Sequence, residues 1–246
     1  MRWPIVLLTA AATAAVGVAA VRIADSDPAA APTPTRIPTE TPEDTPTETP
    51  SPPIKSTPTK TPSPPIKSTP RTLRYVFPIA GCRADYGRTH HDYPAADIFA
   101  KRGCRFVSPV DGRVDEVART DRWSPQTNRG DARGGMSVSV IGVDGVRYYG
   151  AHLSSIAASI RPGTTVRAGQ ELGRTGHSGS ARYTAPHLHF GLSWPTAPNE
   201  WWIRRGVVAP QPYLDAWRTG RNISPAAKVR QAKASYGPAT HCKAYC

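Results

Sequence analysis

No C-x-x-C pair occurs anywhere in the 246 residues, which argues against a zinc site built from thiolates. Helical periodicity is sparse too; the stretch QPYLDAWRTG, residues 211–220, is the best candidate, and it predicts one short helix near the end of the folded part. Acidic residues are few, 18 against 31 Lys and Arg, leaving a formal charge of +13. That imbalance calls for an anionic partner or surface. No nucleic-acid-binding motif accompanies it, so nucleic acid is set aside as the partner.

What is present divides the chain into unequal parts. Residues 1–25 carry Arg2, an apolar and alanine-rich run to Val21, and then Arg22. This reads as an export segment, either a cleaved signal peptide or an uncleaved membrane anchor. Residues 26–72 are dominated by Pro, Thr, Ser, Lys and Glu, and SPPIKSTP occurs at 51–58 and again at 63–70. Such a segment buries too little apolar surface to fold, so it is expected as a disordered stalk, extended at about 3.1 Å per residue and reaching on the order of 100 Å. The folded domain is expected over 73–220, and residues 221–246 as a C-terminal tail. An exported, basic chain finds anionic cell-wall polymers or lipid headgroups within reach.

Only four cysteines occur, at 82, 104, 242 and 246. Export makes disulfides plausible chemistry for them, and four cysteines permit three pairings. Sequence proximity favours Cys82 with Cys104 and Cys242 with Cys246, while a bridge from the tail to the domain stays open.

Within 73–220 the pattern is of short β-rich runs punctuated by glycine, which predicts a mainly β, antiparallel domain with long loops. FVSPVDGRVDEV places Asp111 and Gly112 between two apolar runs, and SVSVIGVDGVRYYGAHL does the same with Asp144 and Gly145. Both are expected as hairpins. Residues 119–135 are polar and aperiodic, so a long surface loop is expected there.

Histidine marks the candidate chemistry. Of seven histidines, four lie in two motifs, RTHHDYPAADIFA at 88–100 and PHLHFGL at 186–192. In a strand, side chains two apart share a face, so His187 and His189 would project into one site with Leu188 and Phe190 packed behind. A hydrolytic zinc site takes three protein ligands and keeps an open position. One histidine of the first motif, Asp97 and one histidine of the second supply that set. His91 is preferred over His90 because its even separation from Asp97 keeps strand parity, which leaves His90 to orient a ligand. His152 follows the run VRYYGA, where alternation would bring it to one face with Tyr148. Metallo-β-lactamase-like and cupin templates do not fit, since His189 is followed by FGLSW and no glutamate comes before Glu200.

The order of these motifs resembles the lysostaphin/LytM-type zinc endopeptidases of bacterial cell walls, peptidase family M23. The resemblance runs from about Val76 to Trp194, through AADIFA, GCRFVSPVDGRV, YYGAHL, VRAGQELGRTGHSGSA and PHLHFGL. It implies a lysostaphin/LytM-like fold, Zn2+ held by Asp97, His189 and a first-motif histidine, taken as His91, and His152 and His187 as catalytic groups. The family's H-x-x-x-D spacing is not met, because His91 stands six positions before Asp97 and His90 seven. The implied function is zinc-dependent cleavage of amide bonds in peptidoglycan stem or cross-link peptides. The alternatives are a wall-binding or regulatory protein that keeps the fold without catalysis, and a stalked adhesion protein, which would leave the histidine constellation unexplained.

Overall fold

The computed structural model describes residues 72–237. The export segment, the stalk, and Cys242 with Cys246 lie outside the described residues. Strands run β1 Ile79–Ala80, β2 Ala84–Tyr86, β3 Ala96–Ala100, β4 Arg105–Val107, β5 Gly112–Ala118 and β6 Ser137–Gly142. They continue with β7 Arg147–Ala151, β8 Leu153–Ile156, β9 Thr165–Val166, β10 Glu171–Thr175 and β11 His187–Ser193. Three helices follow, α1 Trp201–Arg204, α2 Gln211–Arg218 and α3 Ala226–Ser235. No helix among the described residues is long and apolar enough to cross a membrane.

The strands form two antiparallel sheets, a seven-stranded one in the order β2-β3-β11-β7-β6-β5-β9 and a four-stranded one in the order β1-β4-β10-β8. The mainly β, antiparallel fold expected from the sequence is therefore the one observed. Phe106 of β4 packs where a side chain at Gly150 of β7 would stand, so a glycine on one sheet admits the aromatic ring of the other. Around this contact Ile98, Val138, Val140, Tyr148, Leu188, Phe190 and Leu192 are buried to completion with Leu153 and Leu172 of the smaller sheet. Each such side chain contributes about 1.5–3 kcal/mol through its removal from water.

The β6–β7 hairpin forms at Asp144-Gly145 as expected, with Val140 opposite Tyr148 and Gly145 at φ +77°. The hairpin expected at Asp111-Gly112 does not. β4 pairs with β1 and β10 in the small sheet, whereas β5 pairs with β6 and β9 in the large one. Asp111 instead accepts the backbone N–H of Ala168 on its carboxylate, at 2.8 Å, and that of Val143 on its carbonyl, at 2.9 Å. The turn is thereby tied to other loops, and the chain crosses between sheets there. The 119–135 segment is the expected long loop, broken by one short 3-10 turn at Gly130–Ala132.

Cys82 and Cys104 form the expected disulfide, with Cα atoms 5.9 Å apart. The short helix expected near 211–220 is α2. The folded body runs past Gly220: in α3 Val229 is buried, and just beyond it the Tyr236 hydroxyl accepts the Trp202 indole N–H at 3.1 Å.

Candidate metal centre

β11 is buried along its whole length, and its alternation decides what each face does. Leu188, Phe190 and Leu192 enter the core; His187 and His189 occupy the opposite face. Antiparallel register sets His189 opposite Asp97 of β3 and opposite Ala151 of β7. The parity argument made from the H-x-H pair holds because the segment is a continuous strand.

At the centre, His189 Nδ1 is 3.0 Å from Asp97 Oδ1, and His90 Nε2 is 3.7 Å from Asp97 Oδ2. One ligand atom from each of His90, Asp97 and His189 lies within 4.8 Å of the others. His189 Nε2 donates to the Arg205 carbonyl at 3.1 Å, since a carbonyl only accepts. In the neutral ring Nδ1 then turns a lone pair towards a carboxylate, an arrangement that a cation between them relieves. Two imidazoles and one carboxylate also match the donors that zinc takes in hydrolytic sites, so the residues present fit the ion.

The structure corrects the choice within the His90-His91 pair. His90 is the one turned to Asp97, with its side chain 3% exposed, whereas the His91 side chain is 70% exposed and pairs with Asp92 at 2.8 Å. Strand parity fails there because β3 begins only at Ala96; residues 91–94 are bends leading through Pro94. His91 stacks on the outer side of His90, with ring centroids 4.1 Å apart.

His187 and His152 flank the cluster. His187 Nδ1 donates to the Ala185 carbonyl and His152 Nδ1 to the Ser178 carbonyl, both at 2.8 Å, which leaves each Nε2 available to the site. Their rings are 5.0 Å apart, and the His152 ring lies 5.9 Å from that of His189. Tyr148 does not share this face, contrary to the alternation expected from the sequence. It stands opposite Leu192, is fully buried, and donates to Asp144 at 2.7 Å. Its neighbour Tyr149 takes the site side, with its ring 6.1 Å from that of His189. His152 escapes the parity of β7 because it follows the strand end in a left-handed conformation, φ +63°, with its N–H held by the Gly134 carbonyl at 2.9 Å.

Electrostatics suit ligation. Burial pushes the His152 imidazole down to about 3, with the nearby His189 and His187 adding to the effect. Burial followed by the charge of His189 takes His90 down to about 4. Both are neutral at pH 7, so their lone pairs are available. Burial alone would raise Asp97, but the histidines gathered around it, His189 first, outweigh burial and hold the carboxyl well below its usual range.

Tyr149 and three further residues join the site without having been read from the sequence. Tyr93 lies with its hydroxyl 3.4 Å from His189 Nε2 and accepts from Arg205 at 2.6 Å. The Arg205 guanidinium also covers the Tyr93 ring at 4.6 Å. Gly191 lets the Arg205 carbonyl come down onto β11, since a side chain at that position would overlap it. Only Tyr149 had a sequence signal, the period-2 alternation of β7 counted from its true register.

Residues 91–200 match the model of peptidase family M23, which bears out the resemblance read from the motifs; the matched stretch begins one residue after His90. Over 136 residues the chain is 32% identical to the L-Ala–D-Glu endopeptidase of Bacillus subtilis (strain 168), covering 53% of this chain and 36% of that protein. The chain thus spans about a third of that relative's length. Among solved structures it is similar to the catalytic domain of the antimicrobial peptidase lysostaphin from Staphylococcus simulans, at 26% identity and a TM-score of 0.41, covering 54% of this chain and 92% of that one. It is also similar to the catalytic domain of the prophage-encoded M23 protein EnpA from Enterococcus faecalis, at 27% identity and a TM-score of 0.39, covering 55% and 92%.

Proposed function

We propose that this chain is a zinc-dependent endopeptidase of the M23 type that cuts amide bonds in peptidoglycan stem or cross-link peptides. One observation carries the reading: the converging ligand atoms of His90, Asp97 and His189 stand beside two histidines, each anchored through Nδ1 with Nε2 left for the site. The M23 match over residues 91–200 supports it.

Zinc in such a set supplies Lewis acidity, lowering the pKa of water towards neutrality and polarising a scissile carbonyl. The chain's own residues do the rest. Asp97, held ionised by the histidines around it, offers negative charge to the cation. Arg205, through its carbonyl, fixes the His189 tautomer. His152 and His187, locked by backbone carbonyls through Nδ1, turn the Nε2 lone pair to the site to orient the attacking water and take its proton; the ring so protonated then donates from Nε2 to the oxyanion. Since both are fixed before substrate arrives, no reorganisation is needed at the moment of reaction.

Export, with residues 1–25 as signal or anchor, would bring the domain to the wall on the stalk of residues 26–72, and the charge of +13 would favour anionic wall polymers. The test uses the full chain loaded with zinc, metal content recorded, on defined peptidoglycans with mass analysis of the fragments. Cleavage at an amide, lost on chelation and regained with zinc, is expected. Zinc-loaded protein that leaves every amide intact would sink the reading in favour of wall binding without catalysis.

A further inference from the structure

The two histidines beside the metal centre are held alike at Nδ1, but the peptides that hold them differ. His152 donates to the carbonyl of Ser178 and His187 to that of Ala185, both at 2.8 Å. The peptide carrying the Ala185 carbonyl ends at Pro186, which has no N–H, so its far edge can donate to nothing. The peptide carrying the Ser178 carbonyl ends at Gly179, whose N–H donates to Asp121 Oδ2 at 2.9 Å. One planar unit thus has a carboxylate on one edge and the His152 ring on the other.

The surroundings fix that unit. Gly179 is left-handed, φ +66°, and a side chain there would overlap the Arg133 carbonyl and the backbone nitrogen of Gly135. Ser178 Oγ accepts the N–H of Met136 at 3.0 Å, and the Arg133 carbonyl accepts that of Ser180 at 2.9 Å. The same stretch, through the Gly134 carbonyl, holds the backbone N–H of His152. Asp121 is itself held, because Oδ1 accepts the N–H of Trp123 at 3.1 Å and Oδ2 accepts from Arg182 at 3.1 Å. The Arg182 guanidinium in turn covers the Trp123 ring at 5.1 Å.

Holding a peptide in place needs only an acceptor; polarising it needs a charge. Negative charge at the N–H edge drives electron density through the amide resonance to the carbonyl oxygen. Hydrogen bonds joined in such a chain strengthen one another by about 10–30% each. The Nδ1–H bond of His152 gains from this, which secures the tautomer that turns the Nε2 lone pair to the site. When Nε2 takes the proton of water, Nδ1 keeps its own and the ring becomes a cation. A carboxylate one peptide away stabilises that cation, as an aspartate bonded directly to histidine does in serine hydrolases. His187, behind Pro186, has no such support.

We infer that Asp121 is a positioning residue for His152 that acts through the peptide between Ser178 and Gly179. The inference rests on the peptidase reading above and adds a residue to its machinery.

The experiment uses the full chain with zinc bound and isotope-labelled histidine. Both rings are buried, so magnetic resonance can follow their Nδ1–H protons, which move downfield as their hydrogen bonds strengthen; His152→Ala and His187→Ala assign the two signals. Asp121→Asn, equal in size at a partly exposed position, removes the charge. The His152 signal is expected to move upfield and that of His187 to stay. Zinc content and KM should remain near those of the parent while kcat falls about tenfold. Asp121→Ser, which loses the contact as well as the charge, should move the His152 signal at least as far. Arg182→Gln removes the ion pair and leaves the carboxylate, so its His152 signal should lie no further upfield than the parent's and its kcat should be retained. An unmoved His152 signal in both Asp121 variants overturns the inference. So does an Arg182→Gln variant with the same losses, which would make Asp121 a staple of the loop. If the zinc-loaded parent cleaves no wall peptide, the peptidase reading has failed, and the two ring signals alone judge the coupling. His152 shifted with His187 unmoved then upholds it, and both unmoved overturns it.

Discussion

Arg147, fully buried on β7, donates from Nη1 to the carbonyl of Arg204 at 2.6 Å. That bond ties the central sheet to the end of α1, one residue before the carbonyl that holds His189 Nε2. The same guanidinium binds Asp115 at 2.6 Å and Glu116 at 3.1 Å. Removing one partner from a buried ionic cluster leaves uncompensated charge, so Arg147→Ala is expected to lower stability by about 3 kcal/mol and to weaken metal binding through the loosened α1. Denaturant titration with and without zinc checks both effects; an unchanged midpoint would show that the cluster is dispensable.

The ligand pair His90 and His91 can be separated directly. His90→Ala is expected to reduce zinc affinity by on the order of 100-fold or more, while His91→Ala, at an exposed position, leaves it near that of the parent. Competition against a chromophoric chelator reads this without any activity assay. The reverse order would restore His91 as the ligand.

Turnover and metal binding should part company at His152 and His187. Alanine at either position is expected to keep most of the zinc while turnover drops on the order of 100-fold or more, because each ring is fixed by a backbone carbonyl and presents Nε2 to the site. Loss of zinc in proportion to activity would reassign them as ligands.

Reduction of the Cys82–Cys104 bridge should loosen the ligand loop. The bridge closes 22 residues that include His90 and Asp97, and by the chain-entropy account it contributes about 3 kcal/mol. A lower melting temperature and faster zinc exchange are expected in the paired serine variant. Identical exchange rates would confine the bridge to a role in global stability.

At alkaline pH the tyrosines should govern stability. Burial first and Asp215 second push Tyr86 up to about 12 from its ordinary 10, and burial raises Tyr75 and Tyr148 as well. The folded state therefore keeps protons that the unfolded state releases, so this stability is fully present below pH 10 and declines as pH rises through 12. Tyr86→Phe should flatten the decline. Denaturation series from pH 9 to 11 on both proteins decide it.

Much of the site could be read from residue order because the physics there is local. In β11 the period of two sends His187 and His189 to one face and Leu188 and Phe190 to the other, whatever lies around them. The Asp144-Gly145 hairpin is equally local, since the turn and its flanking strands are adjacent in the chain. The M23 motifs likewise marked Asp97 and His152 in the sequence alone. Other features depended on partners far along the chain. Asp111-Gly112 has the same turn chemistry as its counterpart, but β4 finds its partners in β1 and β10, so the chain changes sheets there. His90 rather than His91 faces Asp97 because residues 91–94 bend where parity assumes a strand. Tyr149 replaces Tyr148 at the site because β7 takes its faces from its register with β11. Asp121 meets the N–H of Gly179 across 58 positions, a contact that residue order never suggests. Alternation along one strand is set by covalent geometry, whereas pairing between strands and contacts between loops are set by which distant segments pack together, and only the folded chain decides that.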